Sequence, residues 1–227
     1  MIKAIVTDIE GTTSSLSFVK EVLFPYARKN MESFVRTHAK EDHIVKLIQD
    51  VQAEVEKELS LDETICQLLQ WIDEDMKITP LKALQGLLWE AGYKSGDFKG
   101  HIYPDAKNCL ECWYKQEIKL YVYSSGSVYA QKLLFAYTDY GDLNYLFSGY
   151  FDTKIGAKTE SASYQNIISE VGVDASELLF LSDIQQELDA AKSVGMKTFF
   201  LVREGNLNPD SSHIQVSDFN SIKLNSI

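Results

Sequence analysis

The stretch Ile2-Lys3-Ala4-Ile5-Val6-Thr7-Asp8-Ile9-Glu10-Gly11-Thr12-Thr13 decides the fold. Its first half is a short apolar run rich in β-branched residues, the pattern of a buried strand. Its second half sets two carboxylates, Asp8 and Glu10, at the end of that strand. Unpaired carboxylates in an apolar setting are costly, so they must meet a cation or solvent. Gly11 lets the chain turn sharply straight after them. A plain strand end with a polar turn would look similar over so few residues. The choice between the two readings rests on what the later strands carry.

Downstream of Thr13 the apolar period becomes helical and stays so as far as the glycines Gly92, Gly96 and Gly100. A helix is expected over much of Phe18 to His38, with Pro25 as a point where it could break. Ile44, Leu47, Ile48, Val51 and Val55 recur at intervals of three and four, one face of a helix. Ile65, Leu68, Leu69, Ile72 and Met76 repeat the pattern. So do Leu81, Leu84, Leu88 and Ala91, after Pro80 at a helix start. Glu54, Glu56 and Glu58 read as a solvated face. The block is expected to be a four-helix insertion, roughly Ser15 to Lys99.

From His101 onward helix and strand alternate. Asp105–Gln116, Val128–Tyr137, Ser161–Val171 and Gln186–Val194 read as helices. Ile118–Tyr123, Phe147–Phe151, Leu178–Leu181 and Thr198–Val202 read as strands. Such alternation implies an α/β fold with a mostly parallel sheet covered by helices. Ligands of these sheets bind outside the carboxyl ends of the strands. Polar residues in that position are Ser124-Ser125-Gly126-Ser127 after the second strand and Ser182-Asp183 after a later one. Small hydroxyls and backbone N–H groups at a helix start suit a phosphate, though a helix N-cap would look the same. Asp183 fits a hard cation, or again an N-cap, and Glu187 fits a first-turn acid facing the helix dipole. Lys154 and Lys158 bracket Ile155-Gly156-Ala157 ahead of a helical run. Lysines there oppose the dipole, which points to an anion.

Composition excludes several classes. The chain has 227 residues, 45% hydrophobic and 24% charged, ordinary for a globular protein with one domain and an insertion. Its net charge of -11 argues against a nucleic-acid or anionic-membrane partner. No apolar run is long enough to span a bilayer, and no signal-peptide pattern precedes the first strand. The three cysteines, Cys66, Cys109 and Cys112, argue for a reducing compartment and against a disulfide framework. Cys109 and Cys112 form a lone C-x-x-C in a helical pattern, with no second pair to complete a zinc site; packing explains them better.

Taken in order, an acidic pair, a strand-end Ser, a Lys and a strand-end Asp followed by an acid resemble the haloacid dehalogenase (HAD) superfamily. Asp8-Ile9-Glu10-Gly11-Thr12-Thr13, Phe18-Val19-Lys20 with Leu23-Phe24-Pro25-Tyr26, Tyr123-Ser124-Ser125-Gly126-Ser127 with Ala130-Gln131-Lys132-Leu133-Leu134-Phe135, and Phe151-Asp152-Thr153-Lys154-Ile155-Gly156 with Lys158 and Ser163-Tyr164 narrow this. They are similar to the enolase-phosphatase (acireductone synthase) family of methionine salvage. Glu10, where the superfamily usually has a second Asp, is a mark of that family. The resemblance implies a HAD-like three-layer core over residues 1–14 and 100–227 with a mostly parallel sheet, and an inserted all-α cap over 15–99.

The resemblance also implies a reaction. The family enolises 2,3-diketo-5-methylthiopentyl 1-phosphate and then removes the phosphate to give acireductone. It implies Mg2+, one per subunit, held by Asp8, Glu10 and Asp183, with Glu10 able to offer its main-chain carbonyl. Asp8 and Glu10 are the implied catalytic residues, and Ser124, Ser125 and Lys158 the substrate-binding ones. A cytoplasmic monomer acting on a small phosphorylated diketone, with neither nucleic acid nor membrane as partner, is expected. The alternative is a HAD phosphatase for another small phosphomonoester. A binding protein that had lost catalysis should lack Asp8, Lys158 or Asp183, and all three are present.

Overall fold

The structure is a computed structural model and describes residues 1–224. Two compact units make up the chain. One comprises Met1–Leu16 with the described residues from Gly100 on, and the other is Ser17–Lys99.

The first unit is built on a six-stranded parallel sheet. Its strands are β1 (Ala4–Thr7), β2 (Lys119–Tyr123), β3 (Phe147–Phe151), β4 (Leu178–Ser182), β5 (Lys197–Leu201) and β6 (Ile214–Val216). Their order is β3-β2-β1-β4-β5-β6, and every neighbouring pair runs parallel. All residues of β1 and β4 are buried, as expected of central strands covered on both faces. Alternation along the strands divides their side chains between two cores. Ala4, Val6, Leu178 and Phe180 pack with Tyr164, Ile167 and Leu188 from helices α7 (Ser161–Val171) and α8 (Gln185–Ser193). Ile5, Leu120, Val122, Leu179 and Leu181 are buried on the opposite face. Helix α5 (Pro104–Lys115) turns Ala106, Leu110 and Trp113 inward, and α6 (Val128–Ala136) buries Leu133, Leu134 and Phe135. The result is an α/β three-layer architecture. Strand β6 lies beyond the strands expected from the sequence, because three residues in a polar stretch carry no readable period.

The helical unit contains α1 (Phe24–His38), α2 (Asp42–Glu54), α3 (Leu61–Asp73) and α4 (Thr79–Ser95). A π-helical turn over Phe18–Leu23 runs directly into α1, so Pro25 starts this helix and does not break the segment. Proline is tolerated in a first turn because its missing N–H would have no helical partner there. Ser60 and Glu63 close a reciprocal capping box on α3. Ala27, Met31, Ile44, Val51, Ile65, Leu68, Leu84 and Leu88 form one apolar core. Met76 and Ala91, assigned to apolar faces by their spacing, are exposed, and Met76 lies beyond the end of α3. Glu54, Glu56 and Glu58 are exposed as expected.

All three cysteines are free. Cys109 is half-buried and Cys112 exposed, so packing accounts only for Cys109. Among the described residues no helix is long and apolar enough to cross a membrane.

Candidate active site

The strand order reverses around β1: the chain moves outward through β2 and β3 on one side and through β4, β5 and β6 on the other. A crevice opens at the carboxyl ends of the strands at such a switch point. Register aligns Thr7 with Val122 and with Leu181. The residues that follow, Asp8, Ser124 and Asp183, therefore emerge at the same edge of the sheet.

Asp8 is buried, and its main chain is fixed from several directions. Its N–H donates to Leu181 O at 2.9 Å. Its carbonyl accepts from Thr7 Oγ1 at 3.0 Å and from Thr13 Oγ1 at 3.1 Å. Gly11 has a φ of +72°, and a Cβ there would collide with the Asp183 carboxylate. Glycine is thus needed twice at this position, for the left-handed turn and for the close approach of Asp183. Arg203, just past β5, grips the same loop. Its Nε and Nη2 donate to Thr12 O at 3.0 and 2.6 Å, while Nη1 donates to Asp105 Oδ2 at 2.7 Å. Spacing gave no signal for Arg203, because a lone arginine after a strand has no local pattern.

Lys158 reaches Asp8 from the segment between β3 and α7. Its Nζ bonds Asp8 Oδ1 and lies 2.8 Å from Glu187 Oε2. Burial pushes the lysine pKa down, but the Asp8 and Glu187 charges outweigh it and hold Lys158 above the ordinary lysine range. The ammonium is therefore fixed as a positive charge. Lys154 is exposed, and its N–H closes a turn on Asp152 Oδ1 at 2.9 Å. The two lysines, of which the resemblance singled out Lys158, thus occupy different environments.

Glu187 stands in the first turn of α8 as expected, but it does more than face the helix dipole. A first-turn acid serving a helix dipole should face solvent, yet Glu187 is buried. Besides Lys158, it accepts from Ser182 Oγ at 2.8 Å. Burial raises its pKa. Of the two N-cap readings, the one for the serine loop holds at Ser127 and the one for Asp183 does not. Ile184 occupies the cap position of α8, and no side chain caps that helix. The cap of α6 is Ser127, whose Oγ accepts from Ala130 N at 3.3 Å. Ser124 is buried, and its Oγ accepts from Gly126 N at 3.2 Å. Ser125 is exposed at the tip of this loop. Gln131 draws the loop inward, with Nε2 donating to Gly126 O and Phe151 O, both at 2.8 Å.

The carboxylates of Asp8, Asp183 and Glu187 interact here with the Lys158 ammonium. Burial, then the charge on Asp8, pushes Asp183 up to about 7. A cation beside Asp8 and Asp183 would relieve this repulsion, and their hard oxygens suit Mg2+. Glu10 is half-buried and forms a bridge with Ser14. Among the described residues no three acidic, histidine or cysteine side chains converge into a metal-holding group. Beside the Asp8 and Asp183 carboxylates, the main-chain carbonyl of Glu10 could supply a third oxygen.

A buried acid–lysine pair at the switch point, beside a serine loop and a second acid, defines a hydrolase of the haloacid dehalogenase-like class. Residues 2–195 match the family model described as "Hydrolase: haloacid dehalogenase-like hydrolase". The chain is 58% identical over 224 residues to Enolase-phosphatase E1 of Methylococcus capsulatus, covering 98% of both chains. It is 52% identical to Enolase-phosphatase E1 of Serratia proteamaculans, covering 99% of this chain and 98% of that one. Among solved structures, the UTR4 protein of Saccharomyces cerevisiae superposes with a TM-score of 0.84 at 34% identity, covering 98% of this chain and 100% of that one. CbbY from Rhodobacter sphaeroides, in complex with phosphate, shares the fold at a TM-score of 0.62 and 14% identity, covering 97% and 96%. The chain belongs to the enolase-phosphatase family of the haloacid dehalogenase-like hydrolases.

Proposed function

We infer that this protein is the enolase-phosphatase of methionine salvage. It enolises 2,3-diketo-5-methylthiopentyl 1-phosphate and then dephosphorylates the enol to acireductone. Likeness to the curated enolase-phosphatases over nearly the whole chain supports this reading. The observation that carries the chemistry is the buried contact of Lys158 with Asp8, at the sheet edge where Ser124 also emerges.

Phosphoryl transfer needs an in-line nucleophile and neutralisation of charge on the transferring oxygens. In this reading an Asp8 carboxylate oxygen attacks phosphorus, and the bond to the substrate oxygen breaks. Glu10 gives that oxygen a proton. Water then attacks the aspartyl-phosphate, Glu10 takes its proton, and inorganic phosphate leaves as the Asp8 carboxylate is restored. The fixed positive charge of Lys158 offsets charge on the phosphoryl oxygens, and Ser124 and Ser125 hold the others. Enolisation moves a proton from the carbon alpha to a carbonyl onto that carbonyl's oxygen, as the C=C bond forms and the C=O bond becomes single. Asp8 and Asp183, with the Glu10 main-chain carbonyl, would hold one Mg2+ per subunit. Its chemistry there is to polarise oxygen and neutralise charge. Residues 1–14 and 100–227 serve as the catalytic core and 15–99 as the cap. The protein acts as a monomer in the cytoplasm on this small phosphorylated diketone, with no nucleic-acid or membrane partner.

The test is incubation of the purified chain with the diketo phosphate and Mg2+, following enol absorbance and free phosphate together. Enol should appear first and phosphate after it, and a chelator should stop phosphate release. Phosphate release with no enol at any time would overturn the reading in favour of a simple phosphomonoesterase.

A further inference from the structure

Three successive carbonyls ahead of α7 are each taken by a different side-chain hydroxyl. Gly156 O accepts from Tyr123 Oη at 2.9 Å, Ala157 O from Ser163 Oγ at 2.7 Å, and Lys158 O from Tyr164 Oη at 2.7 Å. Tyr123 ends β2, while Ser163 and Tyr164 stand in the first turn of α7. All three donors are buried. Burying a hydroxyl is costly unless it finds a partner. Phenylalanine would fill the space of either tyrosine without that cost. The hydroxyls are thus matched to the main chain of 156–158, and not merely to apolar packing.

The donors are rigid. The Tyr123 and Tyr164 rings meet edge to face at 5.7 Å, and Tyr164 meets Phe180 at 5.1 Å, inside the apolar core shared by β1, β4 and α7. Gly156 has a φ of +135°, and a Cβ there would collide with Ser163 Oγ. Glycine therefore lets the serine reach the carbonyl that follows. At the far end of the Lys158 side chain, Asp8 and Glu187 hold the ammonium, which lies 5.7 Å from the Tyr123 ring centroid. Tyr123 thus contacts both ends of this arrangement, with its hydroxyl on the turn and its ring near the charge.

We propose that Tyr123, Ser163 and Tyr164 form a hydroxyl clamp whose three bonds to residues 156–158 set the Lys158 backbone and so aim its ammonium at the phosphoryl group. They are positioning residues, since none needs to touch substrate. A flexible lysine side chain has many rotamers, and misplacing a catalytic charge by an ångström can cost about a hundredfold in rate. The proposal rests on the reading that Lys158 meets the phosphoryl oxygens.

A double-mutant cycle on the full chain tests it. Tyr123→Phe, Ser163→Ala and Tyr164→Phe are made singly and in combination with Lys158→Ala. The kcat and KM for phosphate release and the denaturant midpoint are measured for each. Each single change should lower kcat by about five- to fiftyfold with little change in KM. In the Lys158→Ala background the same change should leave kcat where Lys158→Ala alone put it, while its effect on the midpoint should match that in the wild type. Orthovanadate binding followed by calorimetry gives the same cycle where turnover is too slow to read. Additive losses, or unchanged kcat in all three single variants, would overturn the clamp alone. Full activity in Lys158→Ala would overturn the role of Lys158, and the clamp with it.

Discussion

At Asp183, burial and the neighbouring Asp8 charge act in the same direction, and the carboxyl titrates at about 7. An unfolded aspartate titrates near 4, at about 3.9. Between these values the folded chain keeps a proton that the unfolded chain has released. In cation-free protein the stability from this group is therefore fully present below about pH 4 and is lost as the pH rises through about 7. Asp183→Asn carries no charge at any pH. Its cation-free denaturant midpoint should change less between pH 5 and pH 8 than that of the wild type, which should fall. Its phosphatase rate should drop on the order of a hundredfold, because the Mg2+ proposed for this site would lose a hard anionic oxygen. A variant that unfolds without Mg2+, or one whose midpoint falls as steeply as the wild type's, would mean that the carboxylate does not carry this repulsion. Residue types alone do not reveal the effect, since Asp183 follows its strand as any helix cap might.

Among the elements, the loop after β1 depends on a partner that follows a strand two places away in the sheet. Arg203 follows β5 and spans from Thr12 O to Asp105 at the start of α5. Its guanidinium also lies 4.1 Å from the Tyr103 ring centroid. Lysine cannot reproduce this, because one ammonium lacks the planar fork that bonds two groups while stacking on a third. Arg203→Lys should lower stability by about 1.5–3 kcal/mol, the range for hydrogen bonds to a charged group. The denaturant midpoint should fall while the slope of the transition stays constant. An unchanged midpoint would show that the loop after β1 holds its shape without Arg203. Glu187 belongs to the same scale. Its place in the first turn of α8 was legible, but its inward direction came only from the packing of α8 on β4.

In the whole molecule, each compact unit has an apolar core of its own. The core of Ala27, Met31, Ile44, Leu68, Leu84 and Leu88 draws only on the helical unit. The core of Ala4, Val6, Tyr164 and Phe180 draws only on the sheet unit. A segment that buries its own hydrophobic face can fold alone. Residues 17–99, expressed as a separate chain, should therefore give a helical circular dichroism spectrum and a cooperative thermal transition. A broad, non-cooperative melt would show that this core is insufficient by itself.

Local pattern was enough to specify the α/β class, the helical insertion and the residues that end each strand. Those features follow from local periodicity and from the rule that ligands gather at strand ends, and both can be read along a single segment. The acidic pair and the serine loop were legible because they stand at fixed offsets from such strand ends, and Lys158 was legible through its match to the family's motif. Which distant residues become partners was settled by the folded chain alone. Asp8 and Lys158 are 150 residues apart, and Arg203 is 191 residues from Thr12. It also turned Glu187 inward, put the cap of α6 on Ser127, and joined Tyr123 to a turn 33 residues away. Local propensity carries no information about such pairings. They arise when strands enter register and burial requires each polar atom to find a partner.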